Sequence, residues 1–149
     1  MFYILSVSDS DKHFCSAIQE YEKRLWKDLK IENLKPYKDD NQSFVIEKET
    51  TNIIETINKK YKNYQKILLI KEGQSLDTFW FASLIKGKDS VFIIWGPYWV
   101  NEQRLKSEYS DLKETSFWAI TLPHWLAKLT LIEQIYRATT LWTGKKYHY

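Results

Sequence analysis

Glu133 and Arg137 stand four residues apart in a largely apolar stretch, with His124 ahead of them and Tyr147-His148 behind. Carboxylate and guanidinium at that spacing pair on one face of a helix. On spacing alone the pair is as readily a surface or interface ion pair as a functional one. Its apolar setting tilts the balance, because half-buried charges are costly and usually have a use or a partner. A histidine near a helix start, as His124 is, more often caps or packs than reacts. His148 lies in a short tail and has no packing reason to be there. None of these residues alone specifies a reaction.

Other chemistries are excluded by what the chain lacks. Its 4 glycines, Gly73, Gly87, Gly96 and Gly144, are too dispersed for a G-x-G-x-x-G dinucleotide turn or a phosphate-cradling loop. There is no G-x-S-x-G nucleophile elbow. Cys15 is the sole cysteine, and the 3 histidines are not at ligand spacing with carboxylates, so no metal is expected. A net charge of +3 is compatible with a nucleic-acid partner without pointing to one. The 7 tryptophans and 10 tyrosines read first as core and interface packing, and second as surfaces for base stacking. No apolar run approaches the roughly 18 residues that span a bilayer. Met1 to Val7 reads as a strand rather than a leader. With a single cysteine no intrachain disulfide can form, and a cytoplasmic protein is expected.

The elements that must position these residues alternate along the chain. Strands are expected at Phe2–Val7, Leu29–Leu34 (at an edge), Ile67–Ile70, Val91–Ile94 and Phe117–Ile120. Helices are expected at Asp11–Lys27, Phe44–Tyr61, Leu76–Ile85 capped by Ser75, and after Asn101 as far as Tyr109. Pro123 opens a final helix that runs to about Trp142, and Gly144 stops it. Ile67–Ile70 and Val91–Ile94 are continuously apolar, as strands covered on both faces are. The pattern predicts one α/β domain over residues 1–149, with a mainly parallel sheet and helices on both faces. The final helix carries two apolar stripes, one through Leu122, Leu126 and Leu129, the other through Leu131, Ile135, Ala138 and Trp142. One sheet cannot cover both, so a homodimer through this helix is expected.

Thr121-Leu122-Pro123-His124, Glu133-Gln134-Ile135-Tyr136-Arg137-Ala138, Gly144 and Tyr147-His148 together resemble the signature of the ribosomal large-subunit methyltransferase H family, of the SPOUT superfamily. Order, spacing and distance to the C-terminus agree. Weaker likeness extends to Glu20-Tyr21-Glu22-Lys23-Arg24-Leu25 in the first helix, and to Ile94-Trp95-Gly96-Pro97. The resemblance implies an α/β fold whose C-terminal part threads a deep trefoil knot, an exception to the un-knotted rule. It implies a homodimer that binds S-adenosylmethionine through loop backbone groups. It also implies methylation of N3 of a pseudouridine in 23S large-subunit rRNA, on the assembled ribosome. By the same resemblance the cofactor residues are Leu69, Gly96, Phe117, Trp118, Ala119, Ile120, Thr121 and Leu122. The catalytic residues are His148, Arg137, Glu133, Tyr147 and His124.

Three positions depart from the family pattern. Its turn reads roughly Gly-Gly-x-x-Gly, where this chain has Trp95-Gly96-Pro97-Tyr98-Trp99. Glycine there permits a positive φ or a close backbone approach, neither of which tryptophan gives easily. Ile70 follows Leu69 where a polar residue is usual, and Tyr149 follows His148 where a basic residue is usual. Two readings of the tryptophans follow. In one, Trp95 or Trp99 forms an aromatic wall for adenine or the target base. In the other, the indoles fill the pocket of a non-methylating relative that still dimerises and binds RNA.

Overall fold

A computed structural model describes residues 1–9, 14–117 and 121–147. Its sheet is built from β1 (Phe2–Val7), β2 (Leu29–Leu34), β3 (Gln65–Ser75), β4 (Ser90–Ile94) and β5 (Lys113–Ser116). The helices are α1 (Cys15–Leu25), α2 (Gln42–Lys60), α3 (Thr78–Ile85), α4 (Glu102–Glu108) and α5 (His124–Trp142). The strands lie in the order β2-β1-β4-β3-β5, and every pairing is parallel. The expected α/β class and mainly parallel sheet are therefore present.

Alternation along the strands divides the core into two layers. Phe2, Ile4, Ile67, Phe92 and Ile94 point to one face, where residues of α1, α3 and α5 cover them. Leu5, Val7, Leu68, Val91 and Ile93 point to the other, against α2 and α4. Residues Val91 to Ile93 have no exposed surface, which explains their unbroken apolar run. In α5, Leu131, Ile132, Ile135 and Ala138 are fully buried against the first layer. That accounts for one apolar stripe. Leu122, Leu126 and Leu129 of the other remain only half-buried.

Asn101 caps α4 as expected, its side-chain oxygen accepting from Arg104 N at 3.0 Å. The cap of α3 is Asp77 and not Ser75; its carboxylate accepts from Trp80 N at 2.8 Å. Ser75 belongs instead to β3, which passes through Gly73 where a strand end was expected. The reason is contact: a Cβ at Gly73 would lie 2.6 Å from the Thr115 carbonyl carbon, so glycine permits close approach of β3 to β5. β3 bulges there, and both Leu69 and Gln74 pair with Thr115. The fifth strand is Lys113–Ser116 rather than Phe117–Ile120. As an edge strand it needs little apolar sequence, and its polar residues hid it. Phe117 follows it, while residues 118–120 lie outside the described part.

Candidate functional site

Two groups of expected site residues gather at different places. The first surrounds a notch at the C-terminal ends of the β3–β4 pairing and of β5, where parallel α/β sheets characteristically bind ligands. Leu69, Trp95, Phe117, Thr121, Leu122 and Ala127 line it. Three of the expected cofactor residues (Trp118, Ala119 and Ile120) lie outside the described residues. Gly96 faces away from the notch in the direction a side chain would take. A Cβ there would meet Glu49 Oε2 at 3.0 Å and Val7 Cγ1 at 3.1 Å, so glycine is required by packing against β1 and α2. Glu49 is buried; its Oε1 accepts from Tyr37 N at 2.9 Å, while Oε2 has no hydrogen-bond partner. Burial raises its pKa, partly offset by the Tyr37 N–H.

The turn after β4 closes with Trp99 N donating to Gly96 O at 3.4 Å, and Pro97 occupies its second position. Trp99 takes φ +76°, the left-handed backbone that a glycine would adopt without cost. A non-glycine residue there costs on the order of 1–2 kcal/mol. Its indole stacks on that of Trp95, with centroids 4.4 Å apart and planes at 15°. Trp95 Nε1 in turn donates to Leu69 O at 2.9 Å. With the indole so placed, the notch has a volume of about 70 Å³. Ligand sites usually enclose about 300–1,000 Å³. The notch as it stands does not admit a nucleoside-sized cofactor, although its walls suit one.

The second group lies on α5 and the tail. Arg137 Nε donates to Glu133 Oε1 at 2.9 Å, and Gln134 Nε2 donates to Glu133 Oε2 at 2.6 Å. The Glu133 carboxylate accordingly raises the Arg137 pKa and fixes its charge. The guanidinium carbon sits 5.1 Å from the Tyr147 ring centroid, a cation–π contact. Burial, foremost, and the hydroxyl of Tyr21 push the Tyr147 pKa well up, keeping the phenol protonated. Helix α1 supplies partners that the sequence reading missed. Tyr21 and Tyr147 share a hydrogen bond of 3.1 Å, and Arg24 lies 5.5 Å above Tyr136. The sequence places Tyr21 and Arg24 in the expected first helix but gives no sign of these contacts. Expected His148 lies outside the described residues.

His124 opens α5 beside a separate hollow, of about 280 Å³, among Ser8, Tyr37, Pro97 and Tyr98. At 1.5 Å per residue, α5 sets it about 20 Å from Arg137. The structure does not bring these two together within one chain. Among the described residues there is no group of His, Cys, Asp and Glu suited to a metal, and no helix is long and apolar enough to cross a membrane.

A parallel sheet with a ligand notch and an Arg-Glu-Tyr cluster is shared by many proteins; comparison with known ones narrows the choice. A family described as "Predicted SPOUT methyltransferase" matches residues 2–148. The chain is 36% identical to ribosomal RNA large subunit methyltransferase H of Thermodesulfovibrio yellowstonii, covering 93% of this chain and 90% of that one. The chain belongs to the methyltransferase H family of SPOUT methyltransferases. The enzyme of the same name from Pseudothermotoga lettingae is 35% identical over 98% of this chain and 97% of its own. That from Mycoplasmopsis pulmonis is 29% identical over 97% of both. Membership in a family of RNA methyltransferases, over nearly the whole length, favours the catalytic reading of the tryptophan turn over the non-methylating one.

Proposed function

We propose that this protein uses S-adenosylmethionine to methylate N3 of a pseudouridine in 23S large-subunit rRNA on the ribosome. The observation that carries the proposal is the Glu133–Arg137–Tyr147 cluster, assembled on the same C-terminal motif by which the chain resembles its family. Arg137, oriented by Glu133, holds a phosphate or the uracil carbonyls. The target N3 bears a proton that must leave, and His148, next to Tyr147 in sequence, is the base that takes it. His124 acts at the head of α5. Leu69, Gly96 and the segment from Phe117 through Trp118, Ala119, Ile120 and Thr121 to Leu122 form the cofactor surroundings.

The working unit in this reading is a cytoplasmic homodimer of single-domain chains, each with a SPOUT trefoil knot, joined through α5. Two observations support the dimer. The stripe through Leu122, Leu126 and Leu129 is only half-buried. In addition, a site using both His124 and Arg137 needs a second copy, because one helix holds them about 20 Å apart.

The test is methylation of ribosomes that lack the modification, read by mass spectrometry of the target fragment, with Arg137→Ala and His148→Ala alongside the parent. Loss of about a hundred-fold or more in each is expected if both take part in the transfer. Unchanged rates in both variants would sink the assignment.

A further inference from the structure

The feature that fits the family least is the indole in the notch, and its contacts have a chemical pattern. Trp95 is a flat bicyclic aromatic whose one N–H is directed at Leu69 O, at 2.9 Å, and whose face lies against Trp99. A purine with an exocyclic amino group is also a flat bicyclic aromatic that offers an N–H donor and a stacking face. The carbonyl it would use stands at the ends of parallel strands, where ligands enter such sheets. The notch that Trp95 lines is also walled by Phe117, Leu122 and Ala127, which suit a ring, and Thr121, which suits a polar edge.

We infer that Trp95 is an internal stand-in for the purine ring of the methyl donor. It occupies the donor's place in the empty protein and must swing away from Leu69 before the donor binds. Leu69 O and the face of Trp99 are then the purine's contacts. The inference rests on the methyl-donor reading above and adds to it a residue that sets affinity and specificity. Displacement costs the protein one half-buried hydrogen bond and one ring stack, together about ten- to a hundred-fold in apparent affinity. Trp99 stays behind as a platform, which gives its left-handed backbone a use. A ligand without an amino donor on a flat stacking ring gains nothing from displacing the indole, so the gate also selects for aminopurines.

The experiment is calorimetric titration of the full chain, parent against Trp95→Gly and Trp95→Phe, with S-adenosylmethionine and with S-adenosylhomocysteine. Circular dichroism establishes that each variant is folded. Expected are at least ten-fold tighter binding by Trp95→Gly, and tryptophan fluorescence of the parent that changes on saturation by an amount missing in Trp95→Phe. Stopped-flow binding to the parent should also level off at high ligand, as an opening step requires. Equal or weaker binding by Trp95→Gly, with parent binding intact, overturns the gate and leaves the methyl-donor reading standing. Absence of binding in both folded proteins overturns the two together.

Discussion

The hydroxyls of Tyr21 and Tyr147 lie 3.1 Å apart, so a residue of the first helix anchors the tail that follows the last one. Tyr147 is further held edge-on by the Tyr136 ring, at 4.7 Å between centroids. Tyr21→Phe removes only the hydroxyl and keeps the ring packing. The expected effect is a loosening of the tail by about 1 kcal/mol, or about five-fold. Amide exchange at Lys145 to Tyr147 should speed up while global unfolding stays put, and rRNA methylation should fall by a similar factor. Unaltered exchange there would show that ring packing alone holds the tail.

Gly73→Ala tests the bulge in β3. Its Cβ would sit 2.6 Å from Thr115 C and 2.7 Å from Thr115 N, both backbone atoms that cannot yield without parting the strands. Destabilisation of about 1–3 kcal/mol or more is expected from such overpacking. Urea denaturation would measure it, and an unchanged midpoint would contradict the close approach.

Lys128 is fully buried on α5, with Nζ donating to Asn33 Oδ1 at 3.0 Å and to Ser8 Oγ at 3.3 Å. It ties α5 to the ends of β1 and β2. Lys128→Met keeps the volume of the stem and removes the donors, so Asn33 Oδ1 and Ser8 Oγ each lose one hydrogen bond. A loss of about 1–3 kcal/mol in chemical denaturation is expected. A variant as stable as the parent would mean that these bonds contribute nothing net.

Glu49 gives a pH dependence whose sign can be worked out. Burial raises its pKa above the ordinary 4.5, so the fold favours the protonated carboxyl. The stability this confers is complete below 4.5 and is lost as pH rises through the raised value. Glu49→Gln should therefore flatten the decline in unfolding free energy above that pH while retaining the bond from Tyr37 N. Parallel stability profiles for parent and variant would contradict it.

Much of the architecture was legible because its signals are local. Ile67–Ile70 and Val91–Ile94 read as doubly covered strands, and Asn101 and Pro123 marked helix starts that the structure keeps. β5 was misplaced because Lys113-Glu114-Thr115-Ser116 has no apolar period, and only its partner β3 makes it a strand. Glu133–Arg137 was readable from spacing. The role of Tyr21 was not, since it depends on a contact between segments 126 positions apart. The tryptophans at 95 and 99 announced a crowded turn, and Trp99 proved able to take the glycine-like backbone after all. What no local pattern could give was that Trp95 would turn its N–H onto Leu69.

The double pairing of Thr115, with Leu69 on one stretch and Gln74 on another, has a mechanical consequence. Pulling β5 off the sheet must part both stretches of its pairing with β3, one on each side of the bulge. β5 is thus a clamped member, and should resist being peeled away more than its four-residue length would suggest.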